Sequence, residues 1–141
     1  MKRSEQKISE KINVSPEAAW EVIGAVNGVD NWLAPMITSC RVEGEKRICG
    51  TEEGEFEEDI LLVDHENYVF KYAIPKQHLM PVENIEGTIR VLGSEDNQAV
   101  VEWHWTFDVL EDNEAQAKEM LAGIGAHGIK GIESYISATT Q

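Results

Sequence analysis

Apolar positions recur along this chain with two different periods. Through the first three quarters they alternate with polar ones in short runs, whereas from Asp112 to about Ala138 they return every third or fourth residue. The first period is that of a half-buried strand and the second that of an amphipathic helix. Alternation predicts strands over 6–14, 36–43, 46–51, 54–64, 67–74, 84–92 and 98–109, with Gly44-Glu45, Glu53-Gly54, His65-Glu66, 75–81 and 93–97 between the later ones. Such short connections imply antiparallel neighbours. Between the first two strands, Ser15-Pro16-Glu17 starts a helix running to about Ala25. Serine caps it, proline suits its first position and glutamate favours its positive end. Asn27-Gly28 ends it, and a further short turn of helix carries Trp32 before Pro35.

The terminal helix is about 27 residues, or roughly 40 Å, long. Ala117, Leu121, Ile124, Gly128, Ile132 and Tyr135 fall on one broad face, and Glu119, Lys130, Glu133 and Ser137 on the other. Gly123, Gly125, Gly128 and Gly131 each disfavour a helix by up to ~1 kcal/mol against alanine. Gly128 and Gly131 lie on the apolar side, where they permit close packing on a sheet or leave room for a ligand, while Gly123 lies on the polar side. The order strand, two short helices, six strands, long helix excludes a doubly wound parallel sheet. It predicts one α+β domain over residues 1–141. In it, a curved seven-stranded antiparallel sheet wraps the C-terminal helix, two short helices join strands 1 and 2, and a cavity remains between sheet and helix.

Charge narrows the partners. A net charge of -14, from 26 Asp and Glu against 12 Lys and Arg, disfavours nucleic acid and anionic membrane surfaces. No apolar leader follows Met1 and no 18-residue apolar run exists, so neither membrane insertion nor export is expected and the cytoplasm is the expected location. Homodimerisation is compatible with the sequence.

The candidate chemistry lies on the middle strands. In strand 54–64, Phe56, Ile60 and Leu62 share a parity with Glu58, while Glu55, Glu57 and Asp59 take the other. Glu58 is thus the one acid on an apolar face, unless the strand slips near its start. An inward carboxyl either pairs with a cation or is desolvated, and both suit a general acid or base. A two-residue turn at Gly44-Glu45 pairs Glu43 with Lys46, Val42 with Arg47, Arg41 with Ile48 and Cys40 with Cys49. Arg47 then either meets Glu58 inside the cup or reaches the rim and pairs with a nearby acid. The cysteines are opposed closely enough for a disulfide, but free thiols are expected in a reducing compartment.

Tyr68, Phe70 and Tyr72 share one parity, and Val101, Trp103, Trp105 and Phe107 another. Facing inward, they either fill a core or line a site for a flat or lipid-like molecule, together with Phe56 and Ile60 of strand 54–64 and Ile124, Gly128 and Tyr135 of the helix. His65, His78, His104 and His127 are scattered, and the cysteines have no CxxC spacing. No metal or other cofactor is therefore expected.

Taken in order, Val14-Ser15-Pro16-Glu17 with Trp20, Trp32-x-x-Pro35, Cys40-x-Val42-x-Gly44, Glu58 leading Ile60-Leu61-Leu62 and Asp64, Tyr72-x-Ile74, Pro81-Val82 and Val101-x-Trp103 form a pattern. It resembles the polyketide cyclase/dehydrase branch of the START-like (SRPBCC, birch-allergen-like) superfamily, including small MxaD-like bacterial proteins. The resemblance implies a helix-grip fold around a ligand cavity. It also implies aromatase/cyclase activity, hydrophobic-ligand carriage or an accessory role to a dehydrogenase. In a plant lachrymatory-factor synthase of this superfamily a cavity Arg and Glu act on a small sulfenic acid, and Arg47 and Glu58 are similar to those two positions. Three functions follow: a cyclase, dehydratase or isomerase using Glu58 and Arg47 on a bound hydrophobic molecule, a non-catalytic carrier or sensor, and a protein-interaction factor.

Overall fold

The computed structural model describes residues 1–139. Among these, seven strands form one curved antiparallel sheet: β1 (Lys2–Ile12), β2 (Ser39–Glu43), β3 (Lys46–Thr51), β4 (Gly54–Asp64), β5 (Val69–Ile74), β6 (Val82–Leu92) and β7 (Ala99–Val109). The strand order is β1-β7-β6-β5-β4-β3-β2. The first strand crosses to pair with the last, and the rest meander outward. Helix α1 (Pro16–Gly24) and a single 3-10 turn (Val29–Asn31) join β1 to β2, and helix α2 (Glu114–Thr139) ends the described chain. Ser15 caps α1 through its hydroxyl, which accepts from the Ala18 N–H at 3.1 Å.

Local sequence accounts for most boundaries, and the exceptions have physical causes. The first strand begins at Lys2 rather than residue 6 because its inner face opposite the start of α2 is polar. There Ser4 donates to the Glu114 carboxylate at 2.5 Å, and Gln6 donates to the Lys118 carbonyl at 3.0 Å. The second strand begins at Ser39 rather than residue 36, because Ile37 turns back to bond the Leu33 carbonyl and is buried.

Two bulges break the parity on which the inner face was read. On β4 the register shifts between Ile60 and Leu62, so that Leu62 pairs with Lys71 and Val63 with Phe70. Leu62 is therefore not on the inner face with Phe56 and Glu58. Leu61 and Leu62 are 51% and 41% exposed. On β6 the shift between Glu83 and Glu86 accommodates Asn84 at φ 51°. Along β7, by contrast, buried and half-buried positions alternate without interruption.

The glycines of α2 are explained by what faces them. A side chain at Gly125 would collide with Trp105 and Ile8, and one at Gly128 would press on Leu33, Trp103 and Trp32. The space beside Gly128 is thus filled by the protein's own side chains. Nothing lies within 4 Å of the position a Gly123 side chain would take.

Both halves of α2 are tied to β1 and its end through carboxylates. Glu114 accepts from Ser4 and from Lys2 Nζ at 3.0 Å, and Glu133 accepts from the Asn13 N–H at 2.6 Å. These hydrogen bonds, from Ser4 first at Glu114 and from the Asn13 backbone at Glu133, hold both carboxyls below their ordinary range. A folded-state pKa below the unfolded one stabilises above the unfolded value and is lost as pH falls through the folded one. The thermal midpoint is therefore expected to drop as pH is lowered from 6 through the carboxylate range, with a shallower slope in Glu114→Gln/Glu133→Gln. Identical pH profiles for the two proteins would refute the assignment.

Candidate functional site

Beneath the first half of α2 lies a pocket of about 690 Å³, bounded by the sheet, the segment 29–37, the segment 74–80 and the β3–β4 turn. Its walls are mainly apolar and aromatic. Trp32, Trp103 and Trp105 line it, with Phe56 and Tyr72 from β4 and β5 and Leu121 and Ile124 from the helix. Met36, Met80 and Met120 also line it, and their unbranched thioethers adapt to irregular shapes.

Arg47 and Glu58 meet in its wall. The two-residue turn between β2 and β3 gives the expected register, with Val42 opposite Arg47 and Cys40 opposite Cys49. The β3–β4 hairpin then sets Arg47 directly opposite Glu58 and Cys49 opposite Phe56. Cross-strand partners point to the same face, and each of the two charged residues is 5% exposed. Arg47 Nε donates to Glu58 Oε1, and Arg47 Nη1 donates to the Val26 carbonyl at 2.8 Å. The guanidinium lies over the Phe70 ring at 4.9 Å and the Tyr72 ring at 5.8 Å. Burial works against the arginine's charge, but the Glu58 carboxylate outweighs it and holds the Arg47 pKa above its ordinary value.

Cys49 Sγ lies 3.8 Å from Glu58 Oε1. Burial first, and then the charge of Glu58, push its thiol up. It is a protonated donor to the carboxylate and a poor nucleophile. Both cysteines are free. Glu58 Oε2 has no protein partner among the described residues.

The other residues singled out from the sequence divide into those at the pocket and those behind it. Phe56, Tyr72, Trp103, Trp105 and Ile124 line it, whereas Ile60, Tyr68, Phe70, Gly128 and Tyr135 do not. Tyr68 leaves the parity of Phe70 and Tyr72 because it sits at φ 57° in the turn before β5, from which its ring stacks on Trp20 of α1 at 5.4 Å. Phe70 is 1% exposed and supports Arg47 from behind. Ile60 and Tyr135 are half-buried against the core. Gly128 is covered by Leu33 and the two tryptophans.

Sequence reasoning missed the rim. Glu52 and Glu53 of the β3–β4 turn and His127 of α2 line the pocket, as do Gln77 and Leu79. Loop residues have no periodicity to read, and only the fold brings these segments to one opening. His127 Nε2 lies 2.7 Å from the Ala34 carbonyl and so joins the helix to the segment beneath it. Among the described residues no group of three or more His, Cys, Asp or Glu side chains could hold a metal ion.

The family model for polyketide cyclase / dehydrase and lipid transport matches residues 5–136. The chain belongs to this family. No curated protein matches it. Among solved structures, the polyketide cyclase/dehydrase chain is similar to the protein XoxI from Bacillus cereus, at 28% identity over 98% of this chain and 99% of that one, with a TM-score of 0.85. It is also similar to an uncharacterised protein from Bacillus thuringiensis, at 28% identity over 94% and 98% of the two chains, with a TM-score of 0.84. XoxI carries the resemblance to MxaD-like proteins. Norcoclaurine synthase from Thalictrum flavum, solved as a point mutant with a transition-state analogue, shares 15% identity over 99% and 98% of the chains, with a TM-score of 0.77. At that identity the likeness is one of fold, and the fold of this family member is the helix-grip fold.

Proposed function

We propose that this polyketide cyclase/dehydrase family member binds one small hydrophobic or aromatic molecule in the pocket beneath α2 and performs acid–base chemistry on it with Glu58. The observation that carries this reading is the buried Arg47–Glu58 pair, set in the wall of an otherwise mainly apolar pocket. Removing two charges from water costs several kcal/mol per ion, and the mutual attraction of a buried pair is often no better than apolar packing of the same volume. A pair in this position therefore suits a task beyond stability. Glu58 Oε1 is held by Arg47 and Cys49, which leaves Oε2 to take up or return a proton, as in a dehydration, cyclisation or isomerisation. Arg47 fixes the carboxylate and its own position is set by Val26, Phe70 and Tyr72.

Carriage without chemistry needs the same pocket but not the pair. A protein-interaction role would call for an exposed apolar surface around the segment 74–82. That segment instead turns Ile74, Leu79 and Met80 toward the pocket, and the large exposed apolar side chains lie elsewhere.

Trp32, Trp103 and Trp105 line the pocket, so a ligand entering it should change the intrinsic fluorescence. Titration with 2-isopropylnaphthalene is expected to quench that fluorescence saturably at one molecule per chain. Ile124→Trp, which fills the pocket from α2, should weaken binding by about tenfold or more, a loss of ~1.4 kcal/mol. Quenching that never saturates, or that is unchanged in Ile124→Trp, would rule the reading out.

A further inference from the structure

The polar groups around the pocket, taken one by one, show which remain available to a ligand. Gln77 is fully engaged: its Nε2 donates to the Met80 and Val82 carbonyls, and its Oε1 accepts from the Leu79 and Met80 N–H groups. Thr51 Oγ1 donates to the Gly54 carbonyl and accepts from the Glu53 N–H. His127 gives its Nε2 hydrogen to the Ala34 carbonyl, and its other ring nitrogen carries no hydrogen to offer unless the ring is protonated. The charge of Arg47 is matched by Glu58, so an anion brought to its remaining N–H groups would sit beside a carboxylate that already neutralises it.

Tyr72 differs from these. It is 4% exposed, and its oxygen accepts the indole N–H of Trp103 at 3.0 Å. Its own O–H has no acceptor among the described residues. Burial first, and then the nearby charge of Glu58, push the phenol up, so it keeps its proton. Gly87, directly opposite on β6, makes room for the ring. A side chain there would fall 2.3 Å from the Tyr72 ring carbon Cζ. A buried hydroxyl that accepts hydrogen bonds but donates none is costly unless something supplies the acceptor. At the rim, Glu52 and Glu53 also line the pocket, and neither is in an ion pair among the described residues.

We propose that the pocket selects uncharged apolar molecules that end in a carbonyl or phenolic oxygen, which accepts the Tyr72 hydrogen, and that it rejects carboxylates such as fatty-acid anions. This rests on the ligand-binding reading above and narrows it to a chemical class. A carbonyl held by Tyr72 lies in the pocket that Glu58 also lines, so the proton on the carbon next to that carbonyl is the one Glu58 would take up, the electron pair passing to the oxygen that Tyr72 holds. An anionic head group would meet Glu58 and the rim acids and would lose its hydration, and Arg47, the one Arg or Lys among the described residues of the lining, is already paired with Glu58.

Three probes of nearly equal shape separate the possibilities: 2-acetylnaphthalene, 2-isopropylnaphthalene and 2-naphthoate, titrated against tryptophan fluorescence at pH 7.5. The ketone is expected to bind tightest, and the carboxylate at least about thirtyfold more weakly than the ketone. Tyr72→Phe should weaken the ketone about tenfold and leave the hydrocarbon unchanged. In Glu52→Gln/Glu53→Gln the carboxylate should recover part of its affinity. If the hydrocarbon binds but the carboxylate matches or exceeds the ketone, or if Tyr72→Phe weakens ketone and hydrocarbon alike, the selectivity is wrong while the pocket stands. If none of the three binds, the pocket reading itself fails. The comparison of ketone with carboxylate in the unaltered protein decides the matter even if Tyr72→Phe does not fold.

Discussion

Glu58→Ala is expected to destabilise the protein by about 3–5 kcal/mol, because it strands a buried guanidinium without its counter-charge. Arg47 cannot escape to solvent: it is 5% exposed, donates to the Val26 carbonyl and lies against Phe70 and Tyr72. A loss of that size is a large part of the 5–15 kcal/mol that holds an ordinary domain together. The double variant Arg47→Met/Glu58→Leu removes both charges and replaces them with apolar side chains, so it should recover most of the loss and come close to the unaltered protein. Urea unfolding midpoints of the single and double variants measure both effects. A single variant within about 1 kcal/mol of the unaltered protein would mean that water reaches the pair, and the sealed ion pair would have to be abandoned. The double variant also separates stability from function, since it should fold while lacking any chemistry that depends on Glu58.

Gly131→Ala is the second large effect. A methyl group there would lie 1.9 Å from the Trp32 carbonyl oxygen, with the Trp32 carbonyl carbon 2.9 Å away. The obstacle is backbone, so no rotamer change relieves it. Either α2 or the segment that carries Trp32 into the pocket wall must move. Overpacking of this kind costs about 3 kcal/mol or more. Gly123→Ala is the control on the same helix. With nothing within 4 Å, it should stabilise by the ordinary helix preference of ~0.5–1 kcal/mol. Opposite signs from two identical substitutions eight residues apart would show that packing, and not helix propensity, sets the glycine content of α2. Equal effects would refute it.

Much of the architecture was legible because it rests on local rules. The Gly44-Glu45 turn fixed the register of β2 on β3, and with it the opposition of Val42 to Arg47 and of Cys40 to Cys49, although Val42 itself is exposed. Alternation with Phe56 and Ile60 placed Glu58 inward. Ser15 announced the start of α1, and the alternation along 98–109 gave β7 its two faces without error. Errors arose where one residue breaks the period. The bulge after Ile60 turned Leu62 outward, and the left-handed backbone at Tyr68 sent that ring to Trp20 instead of to the pocket. Neither position carries a glycine or proline that would have flagged it.

The chain's own pattern determined that seven strands and a long terminal helix would enclose an interior with one acid turned into it, because side-chain period and turn chemistry act over a few residues. Which side chains line that interior was decided in three dimensions. Tryptophans fill the groove beside Gly128, and the β3–β4 turn brings Glu52 and Glu53 to the same opening as His127 and the methionines. Tyr72 finds Trp103 across the sheet, 31 positions away in the chain. Contacts between segments so distant in sequence depend on how the sheet curves and how closely the helix approaches it, and neither leaves a periodic trace in the order of residues.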